Sequence, residues 1–239
     1  METPERLAGM AGAWSDIDLL ALDADDTLWH HERYFSGVQE TVRELLSPYV
    51  SAEVLDERLL ATERRNLKVF GYGVKGFGLS LIETAIEVTE GRVSSREIEA
   101  MLELVRELMT HPIDLLPGVA EALDRVGGRF ELALVTKGDL FHQEAKIAAS
   151  GLAERFEHVA IVSEKDRSTY EGLFTSWGVQ PDSIAMVGNS ISSDVEPVLE
   201  AGARAAYVPS GYEWALDRAP LPDGVPVLES LEDLIYLLF

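Results

Sequence analysis

The sequence predicts an α/β fold: a doubly wound parallel sheet with an all-α segment inserted after the first strand. Three observations carry this. Short apolar runs recur, each ending in polar residues; helix-like stretches alternate with the later runs; and one long segment, 32–113, has helical periodicity without a convincing strand. Continuous rather than alternating apolar runs suit strands covered on both faces. Strand and helix in alternation signal right-handed βαβ units.

The first run, Leu19 to Leu22, leads into Asp23. Helices are expected at 35–46, 52–69, 79–90 and 95–109. Ser94 with Glu97 reads as a capping box and His111-Pro112 as a stop. Crossings near 31–34 and 112–116 would be hinges, giving a core of 1–31 and 114–239 and a helical cap of 32–113. The second run, Leu132 to Val135, leads into Thr136 and Lys137, then a helix opening at Asp139 and closing before Gly151. Val159 to Val162 leads into Glu164 and Lys165, with a helix over 168–177 to follow. Ile184 to Val187 leads into Gly188 and Asn189, with a helix over 192–201, and a fifth run, Ala205 to Val208, ends at Pro209.

Composition narrows the function. The 239 residues are 46% hydrophobic and 26% charged, with mean hydropathy +0.02, which excludes collagen-like and wholly disordered chains. A net charge of −22 repels nucleic acid and anionic membrane surfaces, so neither is expected as a partner. An anionic substrate would need local cations or a metal. The absence of cysteine excludes thiol catalysis, disulfides and Cys-ligated zinc. The opening METPERLAGMAGAWSD lacks the pattern of a signal peptide, and no uncharged apolar stretch approaches the roughly 20 residues that span a bilayer. A soluble, cytoplasmic protein is expected, as monomer or homodimer.

In open parallel sheets ligands bind beyond the carboxyl ends of the strands. Those ends deliver Asp23 and Asp25, Thr136 and Lys137, Lys165, then Asn189 and Asp194. Carboxylates with hydroxyl, ammonium and amide groups suit a hard divalent cation held together with a phosphoryl group. The adjoining Ala24 and Asp26 are candidate substrate contacts.

These residues resemble the motifs of the haloacid dehalogenase (HAD) superfamily. Asp23-Ala24-Asp25-Asp26-Thr27 matches D-x-D-x-T, Thr136 the second motif and Lys165 the third. Gly188-Asn189-Ser190-Ile191-Ser192-Ser193-Asp194 matches the acidic fourth motif, G-D-x-x-x-x-D, except at Asn189. The match covers about 18–31 and 114–210, and the insert resembles a C1-type cap that opens and shuts over the site. The resemblance implies an HAD-type Rossmannoid core in which Asp23 is the nucleophile forming an aspartyl-phosphate, Asp25 the general acid and then base, and Thr136 and Lys165 the phosphoryl holders. Mg²⁺ would be held by Asp23, the Asp25 carbonyl and the fourth motif, through Asn189 or Asp194. Haloalkanoate dehalogenases resemble the same pattern but lack the second acid, so Asp25 favours hydrolysis of a small phosphorylated metabolite. A 2-haloacid dehalogenase, a phosphomutase and a non-catalytic phospho-ligand-binding module are the alternatives.

Other features have plainer readings. The segment Gly71 to Gly78 reads first as a helix–helix connector with glycine caps, and second as a loop carrying Lys75 or Tyr72 to substrate. His30 and His31 read as lining a hinge, and Trp14, Trp177 and Trp214 as packing residues.

Overall fold

The computed structural model describes Leu7, residues 9–211 and residues 214–239. Along the chain these run β1 (Leu19–Leu22), α1 (Glu32–Leu46), α2 (Ala52–Phe70), α3 (Val74–Val88), α4 (Ser95–Thr110), α5 (Val119–Val126), β2 (Glu131–Lys137), α6 (Leu140–Ser150), β3 (His158–Val162), α7 (Arg167–Trp177), β4 (Ile184–Gly188), α8 (Glu196–Glu200), β5 (Arg204–Tyr207) and α9 (Leu234–Leu238). A π-helical turn, Ile191–Val195, precedes α8.

The five strands form one parallel sheet of order β3-β2-β1-β4-β5, with β1 central. The fold class read from the apolar runs is therefore the observed one. Leu20 stands opposite Leu132 and Ala185. Leu20 and Leu22 pack with Leu132, Leu134, Ala185 and Val187 on one face. Leu19 and Ala21 pack with Ala133, Val135, Ile184 and Met186 on the other. Every β1 side chain is thus in a core, which is why the run is continuous. Burying each such leucine contributes about 1.5–3 kcal/mol. After β1 the chain builds β2 and β3 to one side, then returns to place β4 on the other. The order reverses at the carboxyl ends of β1 and β4, where a crevice is expected.

The chain divides into two compact units, one made of the chain up to His30, Ile113–Lys137 and Glu144–Phe239, the other of His31–Pro112 with Gly138–Gln143. In the first, the two crossings lie side by side: His30 N–H donates to the Asp114 carbonyl at 3.0 Å and Leu116 N–H to that of Leu28 at 2.9 Å. In the second, Phe35, Val38, Val42 and Leu46 of α1 pack with Leu55 and Leu59 of α2, Phe77 and Leu81 of α3, and Met101 and Leu108 of α4. The three- and four-residue spacings in this set are the helical periodicity of the sequence. The capping box starts α4: Ser94 Oγ accepts from Glu97 N–H at 3.2 Å, and Ser94 N–H donates to Glu97 Oε2 at 2.6 Å.

Gly71 to Gly78 is not one loop. Only Gly71, Tyr72 and Gly73 connect the helices, and α3 begins at Val74, five residues before the helix expected from sequence. Glycine's low helix propensity hid this turn, and packing overrides it. A Cβ on Gly78 would lie 2.8 Å from Val105 Cγ2 of α4, and one on Gly76 would lie 2.7 Å from the Gly71 carbonyl oxygen. The glycines let the backbones approach. Lys75 accordingly sits in the first turn of α3, where its Nζ lies 2.9 Å from both carboxylate oxygens of Asp139. Asp139 also accepts from His142 N–H at 3.0 Å, capping α6 as expected. Burial works against the Asp139 charge, but the Lys75 bond and the cap bond together hold its carboxyl below the usual range.

Candidate active site

Beyond Leu22 the chain cannot continue as strand. Asp23 N–H still donates to the Val187 carbonyl of β4 at 3.0 Å, but the Ala24 carbonyl accepts from Leu28 N–H at 2.8 Å, closing a turn. Asp26 takes φ 59° inside it. Asp is among the few non-glycine residues that adopt this left-handed region readily. Asp26 N–H is spent on the Trp29 carbonyl at 2.7 Å. Ala24 is fully buried in the core.

The turn presents Asp23 to a buried charge cluster. Lys165 Nζ lies 2.5 Å from Asp23 Oδ1 and 2.6 Å from Asp194 Oδ1. Thr27 Oγ donates to Asp23 Oδ2 at 3.0 Å. Asp194 Oδ2 accepts from Ser190 N–H at 2.9 Å. The Lys165, Asp23 and Asp194 side chains are 2%, 8% and 1% exposed. Two carboxylates therefore share one ammonium away from water. Burial pushes the Asp23 carboxyl up to about 7, with the Asp194 charge adding to it and Lys165 opposing. Burial alone would discharge Lys165, but Asp194 and Asp23 outweigh it and hold the ammonium charged. Gly188 at the end of β4 makes room: a Cβ there would lie 2.3 Å from Asp194 Oδ2.

Thr136, predicted at the end of β2, is buried there. Lys137 Nζ contacts Ser193 Oγ at 2.8 Å and Asp217 Oδ1 at 3.3 Å. Burial raises the Asp217 carboxyl while Lys137 pulls it down. The carboxylate of Asp25, for which the family resemblance implies an acid and base role, is gripped by Lys146 and Trp29. Lys146 Nζ lies 2.5 and 2.6 Å from its two oxygens, and Trp29 Nε1 donates to Oδ1 at 2.7 Å.

Asn189 brings one terminal atom of its amide to 3.2 Å from Asp23 Oδ2 and 3.0 Å from the Asp25 carbonyl oxygen. Both neighbours accept, so the orientation that satisfies them makes that atom the NH₂, donating to each. Turned over, the amide places its oxygen there, and three oxygens converge. Octahedral magnesium ligands at 2.0–2.1 Å sit about 2.9 Å from one another, close to the two separations found. Among the described residues no group of three or more His, Cys, Asp or Glu side chains is placed to hold a metal.

Residues 17–202 match the family of haloacid dehalogenase-like hydrolases. The chain belongs to that family. This hydrolase is similar to a solved haloacid dehalogenase-like hydrolase from Xanthomonas campestris, with 44% identity, a TM-score of 0.79, and 87% of this chain and 88% of that one covered. It is 25% identical to human N-acylneuraminate-9-phosphatase over 197 residues, 78% of this chain and 79% of the relative. The match to the mouse enzyme is 27% identical and spans 59% of each chain. The L-2-haloacid dehalogenase of Xanthobacter autotrophicus shares the fold at TM-score 0.60 and 18% identity, covering 92% of this chain and 98% of that one.

The hydrolase's strand ends thus bring Asp23, Lys165 and Asp194 together, with Asn189 beside Asp23 and Asp25. Lys75 lies with Asp139 in the helical unit. Sequence reasoning missed Lys146, Trp29 and Asp217 as partners of these residues. Lys146 did leave a signal, because it shares the buried face of α6 with His142, Gln143 and Ile147. A lysine on a helix's buried face needs a counter-charge. Asp217 lies beyond β5 in an irregular stretch and left none.

Proposed function

We propose that the protein is a phosphomonoester hydrolase acting on a small phosphorylated metabolite, with Asp23 as nucleophile. The observation that carries this is the pair of carboxylates two residues apart in unlike surroundings. Asp23 is buried against Lys165, whereas Asp25 is partly open and held by Lys146 and Trp29. Halide departs without a proton, so a second positioned acid is of use for an alcohol leaving group and of none for a haloacid.

In the first step an Asp23 oxygen attacks phosphorus. The bond from phosphorus to the ester oxygen breaks, its electron pair stays on that oxygen, and Asp25 supplies the proton. In the second, Asp25 takes a proton from water as the water oxygen attacks phosphorus, and the bond to Asp23 breaks. Lys165 and Thr136 would steady the phosphoryl oxygens. Lys137 is turned to Ser193 and Asp217 and serves to hold the β4 loop. The Asp23 carboxylate, the Asp25 carbonyl and the Asn189 amide oxygen fit a magnesium ion, which when bound would offset the negative charge of carboxylate and phosphoryl group. Asp194 spends its carboxylate on Lys165 and Ser190, so its role in this reading is to hold Lys165.

The test is phosphate release from a panel of phosphomonoesters, with magnesium and with chelator, by wild type and D23N. Magnesium-dependent release that disappears in D23N is expected. Halide release from 2-chloropropionate without phosphate release from any ester would replace this reading with dehalogenation.

A further inference from the structure

We infer that Lys146 is a positioning residue for the acid–base step, and that with Trp29 it fixes the direction in which the Asp25 carboxylate points. The inference rests on the phosphomonoesterase reading and extends it to a residue outside the strand-end motifs. Lys146 stands in the middle of α6, away from any strand end, and is 3% exposed. Taking an ammonium out of water costs several kcal/mol unless it is well paired. Here it meets both Asp25 oxygens, at 2.5 and 2.6 Å, while Trp29 Nε1, itself buried, takes Oδ1 at 2.7 Å. A carboxylate on an irregular turn would otherwise swing about two side-chain torsions. Donors from two elements leave it one orientation.

That orientation matters only where Asp25 touches the reaction. As the phosphorus–oxygen bond of the ester breaks, the electron pair goes to the leaving oxygen and the Asp25 proton must arrive along a short, aligned path. Nitrophenolate leaves well without that proton, and the anions of less acidic phenols do not. A purely structural lysine would depress the turnover of all such esters alike, whereas a positioning lysine discriminates among them by leaving group.

The experiment measures the rate of phenol release in the first turnover for a series of substituted phenyl phosphates, from p-nitrophenyl to unsubstituted, using the full chain with magnesium. Wild type is expected to show a shallow dependence on the acidity of the phenol. K146M is expected to steepen it, losing about 100-fold on phenyl phosphate while leaving p-nitrophenyl phosphate almost untouched, and K146R to restore much of the shallow slope. W29F, which removes the other donor and keeps an aromatic ring in place, must steepen the slope in part, and it decides the matter should K146M fold poorly. An unchanged slope in these variants overturns the inference alone. Absence of phenol release by wild type overturns the phosphomonoesterase reading and the inference with it.

Discussion

Replacing Asn189 by aspartate is a test with two opposite signs. With its NH₂ toward them, the Asn189 amide donates to Asp23 Oδ2 at 3.2 Å and to the Asp25 carbonyl at 3.0 Å. N189D turns both contacts repulsive and sets a second anion against Asp23. Two unit charges 3.2 Å apart at an effective dielectric of 20 repel by about 5 kcal/mol, and spreading each charge over two oxygens brings this to about 3 kcal/mol. In a chain of this size about 3 kcal/mol lowers the thermal midpoint by roughly 10 °C. The pair relieves itself by holding a proton, so its folded-state affinity for protons exceeds that of the unfolded chain. The loss of stability therefore grows as pH rises from about 4 through about 7 and beyond. A divalent cation among these oxygens reverses the sign, because the variant then offers two carboxylates instead of one. Thermal unfolding in chelator and in excess magnesium, with calorimetric titration of magnesium, measures both effects. The variant should melt lower than wild type in chelator, recover in magnesium, and bind magnesium more tightly. An unchanged midpoint in chelator, or magnesium affinity no higher than wild type, refutes the reasoning.

G188A should abolish turnover and destabilise the protein, because its Cβ would fall 2.3 Å from Asp194 Oδ2 and displace the carboxylate that holds Lys165; near-normal activity would contradict this. K165M leaves Asp23 and Asp194 buried without their ammonium, and urea unfolding should report a loss of about 3–5 kcal/mol together with loss of activity. In wild type, the Asp23 carboxyl is raised from its ordinary 3.8 to about 7. The folded protein thus binds this proton more tightly than the unfolded chain, and metal-free stability should decline as pH rises across that interval. D23N should flatten the decline, which urea midpoints at pH 5 and pH 8 would show; an equally steep dependence in D23N would assign it to other groups.

Much of the fold was open to reading in one dimension because its causes are local. The runs that became β1, β2 and β4 are continuous since both sheet faces are covered, and the Ser94–Glu97 box announced α4 through bonds three residues apart. Where the cause was a distant neighbour, the reading failed. The first turn of α3 was hidden because Gly76 and Gly78 are present for close backbone approach, a fact about Gly71 and Val105 rather than about local propensity. The segment Gly138–Gln143 groups with the helical unit, although a strand–helix pattern would give it to the sheet.

The same division runs through the candidate site. The sequence by itself determined which groups the strand ends deliver, since a parallel sheet lines up its carboxyl ends and each apolar run marks where one stops. Only the tertiary structure decided how those groups are spent. It gave one ammonium to both Asp23 and Asp194, turned Lys137 to Ser193 and Asp217, and set the Asn189 amide against the Asp25 carbonyl. It also brought Lys146 to Asp25 across 121 positions of chain. Charge pairing is a matter of ångströms in space, and residue order carries it only where the fold has already made neighbours of the partners.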